Sequence, residues 1–113
     1  MAKFIIQKST TVGEFNSAFF GAFGANVRVY QGRSRVEDSV TLGECGLSAE
    51  GTFECRASLT VGSFIERMQK EYGLKVKVYT CDFWVAVLDG LTLESAGKVK
   101  KQAVKSDMEN LLG

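Results

Sequence analysis

Moved along by 49 residues, this sequence lies on itself. Phe4 to Tyr30, "FIIQKSTTVGEFNSAFFGAFGANVRVY", aligns with Phe53 to Tyr79, "FECRASLTVGSFIERMQKEYGLKVKVY". Ten of these 27 positions are identical: Phe4, Ser9, Thr11, Val12, Gly13, Phe15, Gly24, Val27, Val29 and Tyr30 in the first copy. Unrelated chains of average composition share about one or two. After a two-residue insertion, "DSVTLGECG" (Asp38 to Gly46) matches "DGLTLESAG" (Asp89 to Gly97). The chain reads as an internal duplication with repeats at about 3–51 and 52–105. At 113 residues it has the length of one domain, 1–113, and is too short for two independent cores of normal size.

Each copy carries the same signals in the same order. "FIIQKS" is a short β-prone run. In "TTVGEF", Thr11 can cap a helix while Glu14 returns the bond, which predicts a helix over 12–23 ended by a left-handed Gly24. "VRVY" alternates as a half-buried strand does. "QGRSRVED" is a turn with a weak extended segment, and "TLGE" offers a second capping box for a single helical turn. The second copy repeats this with "TFECRAS", a helix over 61–72 closed by Gly73, and "KVKVY", followed by the stronger strand "FWVAVL" at 83–88. "SDMENLLG", with Ser106 and Glu109 in capping-box spacing, predicts a C-terminal helix over 106–113. The order is β-α-β then β-α-β-β plus that helix. It predicts an α+β fold with both helices on one face of a mixed or antiparallel sheet, as in a split βαβ or β-grasp-like arrangement.

Two resemblances follow from these motifs. From Val27 onward, "VRVYQGRSRVEDSVTLGECGLSAEGTFECRA" resembles the second half of a ubiquitin-like β-grasp domain over residues 27–57. The residues that carry it are the strand ending in Tyr30, the turn at Gly32-Arg33, Asp38, Thr41-Leu42, Gly46-Leu47 and the strand begun by Thr52-Phe53. A β-hairpin before the helix and a di-glycine tail are both missing, so conjugation is not implied. The strand "TFECRAS" would end one such unit and begin the next, and the units would share a sheet. Through its paired "TVGxF", "VxVY" and "DxxTL" elements the whole chain also resembles small two-repeat bacterial proteins of uncharacterised activity. That resemblance implies no reaction.

Composition excludes several kinds of function. Hydrophobic residues make up 45% and charged residues 24%, as in globular proteins. No apolar run reaches the roughly 20 residues that span a bilayer, and the start is too short for a signal peptide, so a cytoplasmic location with no membrane contact is expected. Histidine is absent, which removes the usual general base of nucleophile systems and the commonest metal ligand. The three cysteines lack CxxC spacing, and Cys81 has Asp82 beside it, which opposes thiolate formation. "GAFGAN" ends a helix where phosphate-binding glycine motifs begin one. Neither catalytic, metal nor cofactor residues are assigned, and no enzymatic activity is expected.

The repeat serves as an internal control for surfaces. Val12, Phe15, Phe19, Ala22 and Phe23 form an apolar stripe matched by Val61, Phe64, Ile65, Met68 and Tyr72. The outer side of the second helix is charged, with Glu66, Arg67, Gln69, Lys70 and Glu71. The first helix has Asn16, Ser17, Ala18, Phe20 and Gly21 there, and Phe20 occupies the place of Gln69. Small Ser17 and Gly21 beside an aromatic ring suit close approach by another element. Three elements could cover it: the C-terminal helix through Met108, Leu111 and Leu112, a second copy, or a foreign protein. On the strands, Arg28, Tyr30, Lys75, Lys77 and Tyr79 point away from the helices, with Arg56 as a further candidate. Interleaved basic and aromatic residues on an open sheet can stack nucleic-acid bases. The net charge of +1 supplies no field to gather phosphates, so nucleic acid is the less favoured partner. A protein-interaction or assembly module is the expected function, with a nucleic-acid binder and a small-ligand domain or enzyme using the cleft between the repeats as alternatives.

Overall fold

The computed structural model describes residues 2–81 and 86–98. The helix expected at 106–113 and the start of the strand expected at 83–88 lie outside them. The elements in order are β1 (Ala2–Ile6), α1 (Val12–Phe23), β2 (Asn26–Gln31), β3 (Ser34–Arg35), β4 (Gly51–Cys55), α2 (Val61–Tyr72), β5 (Lys75–Tyr79) and the one-turn α3 (Leu93–Ala96). The class is α+β, and no helix among the described residues is long and apolar enough to cross a membrane.

Both long helices begin and end where the sequence signals stand. The Glu14 amide donates to Thr11 Oγ1 at 3.1 Å while Glu14 Oε1 accepts from the Thr11 amide at 3.0 Å, so two orphan donors are satisfied reciprocally. Thr60 accepts from the Ser63 amide in the same way, but serine cannot return the bond to the cap amide as Glu14 does. Gly24 and Gly73 end the helices with φ of 77° and 71°, a conformation that disfavours any residue with a Cβ. The first strand starts earlier than expected and stops at Ile6, because the polar residues after it turn the chain toward Thr11, with the Thr10 amide donating to the Gln7 carbonyl at 3.1 Å.

The expected single sheet is replaced by two. One is β1–β4, the other β3-β2-β5, and all pairs are antiparallel. α1 carries the chain from β1 in the first sheet to β2 in the second, and α2 does the same from β4 to β5. Neither crossover closes a parallel pair, so β1, β2, β4 and β5 each find a partner in the other half of the chain, and β3 pairs with β2 in its own. β4 and β2 consequently lie in separate sheets. At the middle of the first ladder Phe4 faces Phe53, and at the middle of the second Arg28 faces Lys77. Both pairs join residues 49 apart. Of the "FWVAVL" segment, Ala86 bridges Tyr79 and the Val87 amide donates to the Val78 carbonyl at 2.8 Å, continuing the second sheet.

Period-two alternation sends Phe4, Ile6, Phe53 and Cys55 inward from the first sheet and Val27, Val29, Val76 and Val78 inward from the second. The core they share with the helices is aromatic at its centre. Phe4 meets Phe15 edge-on at 6.2 Å and Phe23 at 5.9 Å, while Phe53 meets Phe64 edge-on at 5.8 Å and Tyr72 at 6.1 Å. Phe19 joins the two groups by lying 5.1 Å from Phe64. Ala22, expected in the apolar stripe, is exposed, and Phe23 is half-buried, because the helix rolls its core face toward Phe15 and Phe19.

The recurring "TVG" and "DxxTL" motifs prove to be two halves of one clamp. At the start of α1 the Val12 and Gly13 amides donate to the Val40 and Asp38 carbonyls at 2.9 Å each, and the Leu42 amide returns a bond to Thr10 at 2.7 Å. At α2 the Val61 and Gly62 amides donate to Leu91 and Asp89 at 2.7 and 2.9 Å, and Leu93 returns one to Leu59 at 2.9 Å. Glycine suits this close approach, because a Cβ on Gly13 or Gly62 would lie 3.1 Å from the aspartate Cβ. The C-terminal ends of the helices are closed across the halves. Gly97 abuts Phe23 and Gly24, and Gly73 abuts Ser48 and Gly46.

A Cβ on Gly97 would overlap the Phe23 carbonyl oxygen, whereas one on Gly21 meets nothing within 4 Å among the described residues. Chemical denaturation of Gly97→Ala is expected to show a loss of about 3 kcal/mol or more, since backbone must move to admit the methyl. Gly21→Ala is expected to gain about 0.5–1 kcal/mol from helix propensity.

Candidate interaction surfaces

The face of β2 and β5 that points away from the core carries Arg28, Tyr30, Lys77 and Tyr79, as the alternation requires. Register places Tyr30 opposite Lys75 and Tyr79 opposite Asn26, at the two ends of the ladder. The two hydroxyls nonetheless lie 2.6 Å apart. Both rings therefore lean inward over the central Arg28–Lys77 pair. The Arg28 guanidinium sits 4.8 Å from the centre of the Tyr79 ring and Lys77 Nζ 5.3 Å from that of Tyr30. Two cations directly opposite each other repel, and each is offset here by attraction to a ring. The four side chains thus form one closed arrangement, with each ring already attending to a cation of its own chain. Arg56 follows β4 in the other sheet and is not part of it.

The hydrogen bond to Tyr30 and partial burial hold the Tyr79 phenol above its ordinary range, against the opposing pull of Arg28 and Arg35. A raised phenol favours the neutral form in the folded state. Its contribution to stability is complete below the ordinary tyrosine value and is lost as pH rises through the folded one.

The outer side of α1 differs from that of α2 as the repeat indicates. Ser17, Ala18, Gly21 and Ala22 are exposed, and Phe20 keeps 45% of its surface in solvent. With Ile5, at 63%, it is one of two large apolar side chains exposed among the described residues. On α2, the equivalent of Ala18 is Arg67, whose guanidinium lies 4.5 Å above the Phe53 ring and is held by Glu71 at 2.8 Å. In the first copy Ala18 and Ala22 replace that pair. A surface hollow of about 380 Å³ is left there, with Phe4, Ile5, Glu14 and Ala18 in its lining.

One functional element of the packing was not legible as a motif. Asn16, expected to face solvent, is half-buried: its carbonyl oxygen accepts from the Val27 amide at 2.8 Å and its amide donates to Asn26 Oδ1 at 3.1 Å. Buried Asn26 in turn donates to the Thr80 and Cys81 carbonyls at 3.1 and 2.8 Å. The chain thus ties α1, β2 and the end of β5 together. The signal that would have found it lies in the repeat, where both asparagines depart together, from Ile65 and from Lys75.

Among the described residues no group of three His, Cys, Asp or Glu side chains is placed to hold a metal ion. Burial pushes the Cys45 and Cys55 thiols up, which makes them poorer nucleophiles. A hollow of about 370 Å³ between the halves, beside β1 and β4, contains one carboxylate, Glu50, and that group accepts the Lys8 amide at 2.8 Å. Comparison of the chain with known protein families, with curated proteins and with solved structures finds no match.

Two outcomes are expected from these geometries. Tyr30→Phe removes the main cause of the Tyr79 shift, so a tyrosinate absorbance titration should show Tyr79 ionising at lower pH. Above about pH 10 the variant should lose less stability than the wild type does. Asn26→Ala removes this partner from the buried Thr80 carbonyl, the part-buried Cys81 carbonyl and the Asn16 amide. A denaturation series should show a loss of about 1–3 kcal/mol.

Proposed function

We propose that this chain is a non-enzymatic interaction module, built by duplication of a β-α-β unit, that engages a protein through the outer side of α1 around Phe20. The single observation that carries this reading is the exposed Phe20 ring set among small, uncharged Ser17, Ala18 and Gly21, at the place where the other copy is charged. A large ring in solvent is unfavourable unless something covers it, and rings of this kind are enriched at the centres of interfaces. The hollow at Ala18 continues this surface toward β1, with Phe4 and Ile5 in its lining and Lys3 and Glu14 as its charged members. Duplication is supported by the repeated capping, clamp and aromatic contacts 49 to 51 residues apart. The ubiquitin-like resemblance over 27–57 enters this reading through the order of strand, turn and final strand alone, since β2 and β4 lie in separate sheets. The sheet face is the weaker candidate, because Tyr30 and Tyr79 are hydrogen-bonded to each other and each already holds a cation.

The test is Phe20→Glu, followed by light scattering over a range of concentrations and by chemical denaturation. If the surface serves a partner, the substitution leaves the stability of the monomer within about 0.5 kcal/mol. It also abolishes association made through this surface with another protein. A loss well above 1 kcal/mol in the monomer would mean that the chain covers its own phenylalanine, and the proposal would fall. A salt-dependent mobility shift with an oligonucleotide, unaffected by Phe20→Glu and lost on Lys77→Ala, would move the function to the sheet face.

A further inference from the structure

The two halves, 2–47 and 51–98, are linked by three exposed residues, Ser48, Ala49 and Glu50. Almost all sheet pairing runs between the halves. Within a half, the described residues show the short β2–β3 hairpin and the isolated bridges Thr11–Thr41, Thr60–Thr92 and Tyr79–Ala86, whereas β1–β4 and β2–β5 each pair five residues across. The contact of Phe19 with Phe64, the seat of Gly97 on Phe23 and the bonds from Asn26 to Thr80 and Cys81 also cross. Each half is therefore incomplete alone, with its strand edges and aromatic face satisfied by the other. Nothing in those contacts requires that the other half belong to the same chain.

We propose that two copies of this chain exchange halves, with residues 2–47 of one packing on 51–98 of the other and the 48–50 link opening as the hinge. The closed two-fold dimer repeats every native contact outside the hinge, so the exchange is low in free-energy cost. The link itself is held by two bonds, from the Ser48 amide to the Tyr72 carbonyl at 2.9 Å and from the Lys8 amide to Glu50 at 2.8 Å. The partner surface is specific. Asn16 and Asn26 lie in the first half and their acceptors at Thr80 and Cys81 in the second, while the counterparts of the two asparagines are Ile65 and Lys75. This network forms once, between unlike halves, and so selects first half with second half over two first halves.

Ile5 and Thr52 are exposed and directly opposite in the β1–β4 ladder, which gives a direct test. Chains carrying Ile5→Cys and chains carrying Thr52→Cys, each with Cys45→Ser and Cys81→Ser, are unfolded together, refolded at several concentrations and treated with a short bismaleimide. Exchange predicts a covalent species of twice 12.3 kDa, linked between positions 5 and 52 by peptide mapping, whose yield rises with the concentration during refolding. Refolded chains that stay uncoupled at every concentration overturn the proposal, provided that a single chain carrying both substitutions couples internally. A second variant, deleting Ser48, Ala49 and Glu50, should double the apparent mass with an unchanged circular dichroism spectrum. If it folds as a monomer, the hinge assignment is wrong; if it does not fold, the coupling experiment decides alone. Phe20→Glu leaves both readouts unchanged, which separates this proposal from the one made for α1.

Discussion

Phe4 opposite Phe53 and Arg28 opposite Lys77 are the two pairings on which the rest of the molecule depends. Each joins the halves at the middle of a ladder. Together they set the register of both sheets, and register determines which residues face the core. A slip of one residue in β1 would send Phe4 and Ile6 into solvent and Lys3 and Ile5 inward, undoing the aromatic centre around Phe15, Phe19 and Phe64. The second ladder buries Val27, Val29, Val76 and Val78 on its inner face, and on its outer face the two central cations, which repel, are each offset by a tyrosine ring. One pairing is stabilised by apolar burial and the other by a polar arrangement, and the helices are held between them.

The halves are alike where they meet and unlike where they do not. Caps, clamps and inward-facing strand residues recur because each is fixed by the same local geometry. Surface positions carry no such constraint, and the differences collect there: Phe20 against Gln69, Ala18 against Arg67, Ala22 against Glu71. The exception is the Asn16–Asn26 network, an internal asymmetry in an otherwise repeated frame. A single hydrogen-bonded chain of this kind adds modestly to stability. Its larger effect is to make the two halves distinguishable to each other.

Much of the local structure could be read from particular residues. Thr11, Glu14 and Gly24 bounded α1, Gly73 closed α2, and the alternation in "VRVY" and "KVKVY" named the outward set of Arg28, Tyr30, Lys75, Lys77 and Tyr79. Those signals act within one turn or one strand, so neighbours in sequence suffice to express them. The exposure of Phe20 was also legible, through comparison of one copy with the other. Asn16 was misread because helical position alone puts it at the margin of the core face, where only a partner ten residues away decides whether it turns in or out. Gly97 gave no local signal at all, since the atom it makes room for is the carbonyl of Phe23, 74 residues earlier.

By itself, then, the sequence determined the two long helices and their ends, the inward faces of β2 and β5 and the place where one copy's surface departs from the other's, because capping, turn chemistry and periodicity are short-range. Only the tertiary structure decided that the strands would pair across the halves in two sheets, that Tyr30 and Tyr79 would join over two cations, and that the aspartate turns would clamp the helix starts. Those outcomes depend on which distant edges meet. An unpaired strand edge is satisfied equally well, at the level of local sequence, by any strand of suitable pattern, and the choice among partners is made by the shape of the assembled core.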